Sequence, residues 1–339
     1  MKAALKIFLF LIIFGIAAGS GVYFRWFAEA SAFNEERLAN IKSIFARKAF
    51  PTPTPEKDRT IVFTGDIMLS RGIDFYMRKY GDFRYPLLKV ADFLNAADIA
   101  FGNLEGPISD SGKNQGSLYS FRADPRAVEG LKLAGLDVLS LANNHILDWG
   151  REALEDTLKL LRINGIEPVG AGANYAQAND PVALRAGEAK IAFFAYTNLY
   201  PRSFEATESR AGVSSFEPEI IKKKIFDTRS YADIIVVSLH WGEEYAKIPN
   251  AFQKQFAREL IDAGADFVIG HHPHVIQKHE RYKNGWIFYS LGNFVFDQGF
   301  SEETMLGSAV KVTVRNRKID EVEPIEIRMN GSFQPEIVH

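Results

Sequence analysis

The sequence contains no cysteine. That excludes disulfides, thiolate metal ligands, a cysteine nucleophile and a lipidated N-terminal cysteine. It also lacks a strong charge of either sign, since 40 basic residues face 42 acidic ones for a net charge of −2. With no basic run and no basic stretch interleaved with aromatics, neither nucleic acid nor an acidic membrane surface is an expected partner. No internal repeat is evident. What the chain does have is 339 residues at 47% hydrophobic composition, enough for one large domain or two small ones.

The N-terminus carries the topology. Lys2 and Lys6 precede Ile7 to Phe24, eighteen residues without a charge. At a helical rise of about 1.5 Å per residue that run covers about 27 Å, enough for a bilayer core. The lysines stay on the cytoplasmic side, so the expectation is a single-pass cell-membrane protein with its remaining residues outside. Tyr23 and Trp26 form an aromatic interface anchor. The same run also reads as a cleaved signal peptide, with Ala28-Glu-Ala30 and Ala30-Ser-Ala32 as small-residue sites. A helical stretch over about 34–48 and the semi-rigid spacer Pro51-Thr-Pro-Thr-Pro55 follow. The expected organisation is therefore an anchor or signal peptide over 1–27, a stalk and linker over 28–58, a folded domain over 59–330 and a tail over 331–339.

Within the domain, strands are expected near 60–65, 98–102, 136–141, 190–196, 232–239, 266–270, 286–290, 308–314 and 319–327. Helices are expected near 86–95, 125–134, 151–164, 217–229 and 250–263. Arg151 to Leu161 shows apolar spacing of three and four, with Gly165 as its stop. The β-α alternation puts helices on sheet faces, and the late strands, with no helices between them, read as antiparallel additions.

Five of the seven histidines fall at 240, 271, 272, 274 and 279. The run Val268-Ile-Gly-His-His-Pro-His-Val275 places three imidazoles at the end of an apolar strand, where ligands bind in parallel α/β sheets. Four other strand ends carry metal-type donors: Asp66; Asn103 and Glu105; Asn143, Asn144 and His145; and His240. One such end is ordinary turn chemistry. Five, each with a hard or borderline donor, point to a metal site.

In order, Gly65-Asp66-Ile-Met-Leu, Gly102-Asn-Leu-Glu105, Ala142-Asn-Asn-His-Ile-Leu-Asp-Trp-Gly150, His240-Trp-Gly, Gly270-His-His-Pro-His274 and Ser290-Leu-Gly-Asn-Phe294 resemble the poly-γ-glutamate capsule biosynthesis proteins (CapA/PgsA-like). These are a branch of the calcineurin-like metallophosphoesterase superfamily, and the resemblance spans about 59–327. It implies an α/β fold, a four-layer αββα sandwich, with two divalent metal ions (Mn, Zn or Fe) at the strand ends. It also implies an anionic cell-surface polymer such as poly-γ-glutamate as partner. By the same resemblance one metal takes Glu105, Asn144, His240 and His272, and the other takes Asp66, Glu105 and His274. His145 matches the histidine that contacts the leaving group, with Asp148 orienting it. His271 is either the first histidine of a shifted motif or a residue behind the ligands.

Two positions depart from the usual pattern. Asp-x-His becomes Asp66-Ile-Met68, and a thioether is a poor ligand for these metals, so Met68 is expected in the core and one metal to lose a donor. Asn103 holds the place of the usual bridging Asp, which leaves Glu105 as the carboxylate donor. Arg71, Asn103, Asn293 and His271 are candidates for substrate contact, and Arg122 is a weaker one. Trp149 and Trp241 are expected to pack near the pocket, and His279 and His339 are given no role. The resemblance implies a membrane-anchored, metal-dependent hydrolase or transferase that synthesises, anchors or processes the polymer. The alternative is a non-catalytic subunit of a membrane polymer synthase or export complex.

Overall fold

A computed structural model describes residues 57–338. The expected anchor, the helical stretch near 34–48 and the proline spacer lie outside the described residues, as does His339. Among the described residues no helix is long and apolar enough to cross a membrane.

Apolar alternation builds two sheets. In the first, β1 (Arg59–Ile67), β2 (Ile99–Leu104), β3 (Val138–Ser140) and β4 (Glu167–Val169) lie side by side in parallel. On the other side of β1 come β14 (Leu306–Arg315), β15 (Lys318–Met329) and β16 (Pro335–Ile337), all antiparallel, as expected for late strands without helices between them. The second sheet runs β11 (Ile276–Tyr282), β12 (Gly285–Leu291), β10 (Phe267–His271), β9 (Ile234–His240), β7 (Ala189–Thr197) and β6 (Val182–Ala186), and β5 (Ala171–Gly172) pairs separately with β8 (Gly212–Val213).

Side-chain alternation on β1 shows the layering. Ile61 and Phe63 join a core made of both sheets, together with Phe101, Phe193, Val236 and Phe267. Val62, between them, faces a second core with Ile73, Met77, Leu154 and Leu158 from helices 71–80 and 150–163. A third core packs helices 218–228 and 251–262 on the far face of the second sheet, through Ile225, Phe256 and Leu260. Helix, sheet, sheet, helix is the expected four-layer arrangement.

The structure adds elements that local patterning did not announce. Helix 71–80 has Ser70 at its N-cap position, but that hydroxyl bonds to the Met68 sulfur instead of capping the helix, and Arg71 starts it with φ of +55°. The stretch 86–95 is a 3₁₀ turn at 85–87 and a short helix at 91–95. β11 is an edge strand of mostly charged and polar residues, whose pairing with β12 rather than an apolar face makes it a strand.

One irregularity aims the site. β1 pairs with β14 up to Phe63, then with β13 (Asn293–Val295) at Asp66, and its register to β2 shifts over the same step. Gly65 allows this crossing. A Cβ there would lie 2.0 Å from the carbonyl oxygen of Gly292. Asp66 is thereby delivered to the carboxyl ends of β2, β9 and β10.

Candidate metal centre and active site

Each donor hangs from a strand end. Asp66 closes β1, Asn103 sits on β2 with Glu105 just beyond it, and Asn143 to His145 follow β3. His240 ends β9, and His271 to His274 leave β10. In the cross-sheet register His240 lies beside His271. Asp66, Asn103, Glu105, His240 and His271 are all fully or almost fully buried.

The donors gather in two groups. Ligand atoms of Asp66, Glu105 and His240 lie within 4.8 Å of one another, and so do those of Glu244, His272 and His274. The pairs that the resemblance implies are close as well: the His240 and His272 ring centroids lie 4.9 Å apart, and His274 Nδ1 is 3.5 Å from Asp66 Oδ2. His240 Nε2 donates to Asn144 Oδ1 at 2.8 Å, which places Asn144 at the inner group. Glu244 is new. It is an exposed acid on the loop after β9, with no strand-end position to mark it in the sequence.

Hydrogen bonds hold the donors. Asp66 accepts from Asn103 Nδ2 at 2.8 Å and from the backbone N–H of His272 at 3.1 Å. Asn293 gives its amide hydrogens to Gln298 Oε1 and the Thr304 carbonyl, which turns its oxygen toward His274 Nδ1 at 3.0 Å. His274 Nδ1 donates to that oxygen, and its Nε2 lies 3.7 Å from Glu105 Oε1. Met68 is buried in the outer core, and its sulfur accepts from Ser70 N and Oγ at 3.1 and 3.0 Å. Arg71, Tyr245, His272 and His274 are four of eight non-glycine residues with positive φ among the described residues, so backbone strain is concentrated here.

Burial sets the protonation. It pushes His240 well down and His272 to about 3, and it raises Glu105 to about 7. Burial would raise Asp66 too, but hydrogen bonds from His271 and His274 hold it well below the usual range. For His274 burial pulls downward, yet Glu105 and Asp66 raise it to about 9.

The donor set fits divalent cations of the Mn, Zn or Fe type: imidazoles, carboxylates and an amide oxygen, with no thiolate. Buried Glu105 Oε1 and His272 Nδ1 have no hydrogen-bond partner, which is the state of groups that await a cation. Asp66, Glu105, Asn144 and His240 would hold one, and His272, His274 and Glu244 surround the other position.

Above these groups lies a pocket of about 180 Å³, lined by Arg71, Phe121, His145, Glu244, Tyr245 and His274 among others. His145 Nδ1 donates to Asp148 Oδ2 at 2.8 Å, and Asp148 also accepts from Ser117 Oγ and Phe121 N. That fixes the ring so its Nε2 faces inward, 3.9 Å from Glu105 Oε1. Arg71 is held by Asp297 at 2.7 Å and stacks over Phe121. Asp297 is 226 residues from Arg71 in sequence, a pairing no local signal offers.

Of the four expected substrate contacts, Arg71 alone is among the pocket's lining residues. Asn103 and Asn293 are buried and hydrogen-bond to Asp66 and His274, and His271 is buried with Nδ1 3.2 Å from Asp66 Oδ1. Burial under the donors removes them from the surface a substrate meets. Arg122 stacks on Trp149, and Trp241 is buried with its indole N–H on the Tyr289 carbonyl.

Comparison with known proteins places this chain. The family described as bacterial capsule synthesis protein PGA_cap matches residues 60–298. A capsule biosynthesis protein CapA of Bacillus anthracis is 35% identical over 81% of this chain and 69% of its own length. A PGA biosynthesis protein CapA of Bacillus subtilis is 36% identical over 70% of this chain and 63% of its own length, so the chain spans less than two thirds of that relative. Among solved structures, a phosphatase from Mycoplasma pneumoniae aligns over 80% of this chain and 94% of its own, with a TM-score of 0.51 at 14% identity; it shares the fold. The family match over the motifs and the extended identity to the CapA proteins agree, and the protein belongs to the bacterial capsule synthesis protein family.

Proposed function

We propose that the protein is a metal-dependent hydrolase or transferase that processes poly-γ-glutamate or a related anionic cell-envelope polymer, held at the outer face of the cell membrane by its N-terminal segment. The observation that carries this reading is the pairing of two donor groups with a rim that holds an oriented His–Asp pair and a fixed guanidinium. Two bound divalent cations would polarise the scissile phosphoryl or carbonyl oxygen and make water nucleophilic at neutral pH. The Arg71 guanidinium binds an anionic group of the polymer in the pocket. Asp148 keeps the proton on His145 Nδ1, so the protonated ring delivers its second proton from Nε2 to the leaving group. Phe121, packed 4.1 Å from the His145 ring, shields that pair from water.

His145→Ala should leave metal content unchanged and lower turnover by about 10²–10⁴-fold. The assay compares generic phosphoesters with γ-glutamyl polymer, on full-length protein whose metal content is known. A rate equal to the parent's on activated and unactivated substrates alike sinks the role. The second reading, a non-catalytic subunit of a polymer synthase, is favoured by Met68, whose sulfur is committed to Ser70. It gains the field if metal-loaded protein turns over neither substrate class. A reporter fused after residue 30 that stays cytoplasmic overturns the outward topology.

A further inference from the structure

The donor groups are unequal in charge. Asp66 and Glu105 bring two carboxylates to the inner group, while the outer one has His272 and His274, both uncharged donors when they bind a cation. The position that supplies an extra imidazole in related folds is closed, because Met68 is fully buried with its sulfur turned to Ser70. We propose that Glu244 is a metal ligand, supplying the outer position with the anionic donor that Met68 cannot. The proposal rests on the metal-centre reading.

Three observations support it. Glu244 already shares a 4.8 Å cluster with His272 and His274. His272 Nδ1 is buried and has no hydrogen-bond partner. The loop that carries Glu244 is fixed rather than incidental. Tyr245 N donates to the Pro273 carbonyl at 2.8 Å, tying this loop to the His272–His274 segment. Gln277 Nε2 donates to the Ala246 carbonyl at 2.7 Å, and Gln298 Nε2 donates to the Tyr245 hydroxyl at 3.2 Å. Tyr245 holds a strained φ of +63° within this frame, and Glu244 lines the pocket beside it.

Two divalent cations carry four positive charges, and a third carboxylate brings the anionic donors to three. Glu244 is also solvent-exposed, whereas Asp66, Glu105 and His240 are not. The outer cation therefore exchanges with solvent and is stripped first by a chelator.

The test is metal stoichiometry and Mn²⁺ affinity of the full-length protein, by elemental analysis and electron paramagnetic resonance, for the parent and for Glu244→Gln. Thermal unfolding checks the fold, and Glu244→Ser gives the same reading if the first variant is unstable. The expected result is two equivalents in the parent, and in the variant one tight equivalent with the second at least 10-fold weaker. Two equivalents of unchanged affinity in folded Glu244→Gln overturn Glu244 as a ligand and leave the metal centre standing. A parent that holds one equivalent, lost in His240→Ala but not in Glu244→Gln, does the same. A parent that binds none overturns the metal-centre reading, and this proposal with it.

Discussion

The two sheets bring different chemistry to the same seam. The first contributes oxygen: Asp66 from β1, Glu105 after β2 and Asn144 after β3. The second contributes nitrogen: His240 from β9, then His271, His272 and His274 from β10 onward. The inner group of Asp66, Glu105 and His240 draws on both, so a cation of the Zn, Mn or Fe type would be bound there only where the two meet, whereas Glu244, His272 and His274 of the outer group all follow strands of the second sheet. The centre is thus a joint as much as a pocket, and its ligand distances depend on how the sheets pack. Beneath it, Phe63 lies 5.9 Å from Phe101 and 5.4 Å from Phe267, while Phe101 stacks on Phe193 at 5.7 Å. These rings cross from one sheet to the other and set the spacing that the donors inherit.

The comparison is broken most completely by taking nitrogen from the inner group. His240→Ala should remove at least one equivalent of metal and abolish turnover, because a buried carboxylate pair is then left without its imidazole partner. Elemental analysis of the folded variant checks it, and undiminished metal content would mean that oxygen donors suffice. The next largest effect is on the joint itself. Phe101→Ala should cost about 3–5 kcal/mol of stability, read by denaturant unfolding. The surviving folded protein should also bind metal more weakly, although no donor has changed. Unaltered affinity would show that the sheets hold their spacing without the aromatic stack.

A smaller effect sharpens the roles inside the seam. Asn293→Ala removes the amide that orients His274, and should weaken metal binding by about 10–100-fold by calorimetry, with little loss of fold. The smallest effect lies away from the seam. Asp124 accepts from Arg126 and Arg78, and the Arg126 bond holds its carboxyl well below the usual range. A depressed carboxylate stabilises the fold above its unfolded-state pKa, and that stability is lost as pH falls through its folded-state pKa. Asp124→Asn should therefore cost about 1 kcal/mol or less at pH 7, with the gap to the parent closing in acid. Unfolding curves across pH check this, and metal affinity should not move.

The parts of the site that strands deliver were legible, because an apolar run followed by glycine and a donor marks a strand end. Asp66, Glu105 and the His271–His274 run carry that mark, and Asn144 and His240 follow apolar runs without the glycine. What each donor faces was not legible. His272 lies within reach of both His240 and Glu244, and its ring is aimed by a φ of +95° that no residue preference announces. Glu244 looked like any surface acid, and Asp297 gains its meaning from Arg71, far away in the chain. In the fold, strands with a buried face were readable from alternation. The charged edge strand β11 and the uncapped helix 71–80 were not, because pairing and packing, rather than local sequence, make them.

The crossing at Gly65 has a consequence for any genetic dissection of this protein. Only hydrogen fits between that residue and the Gly292 carbonyl, so every substitution there displaces the strand that delivers Asp66. In a growth-based selection, Gly65 would score as severely as Asp66 itself although it touches no metal and no substrate. Intolerance along β1 therefore measures backbone clearance and chemistry together. A map of essential positions separates the two only when each failing variant is also sorted by whether it still folds.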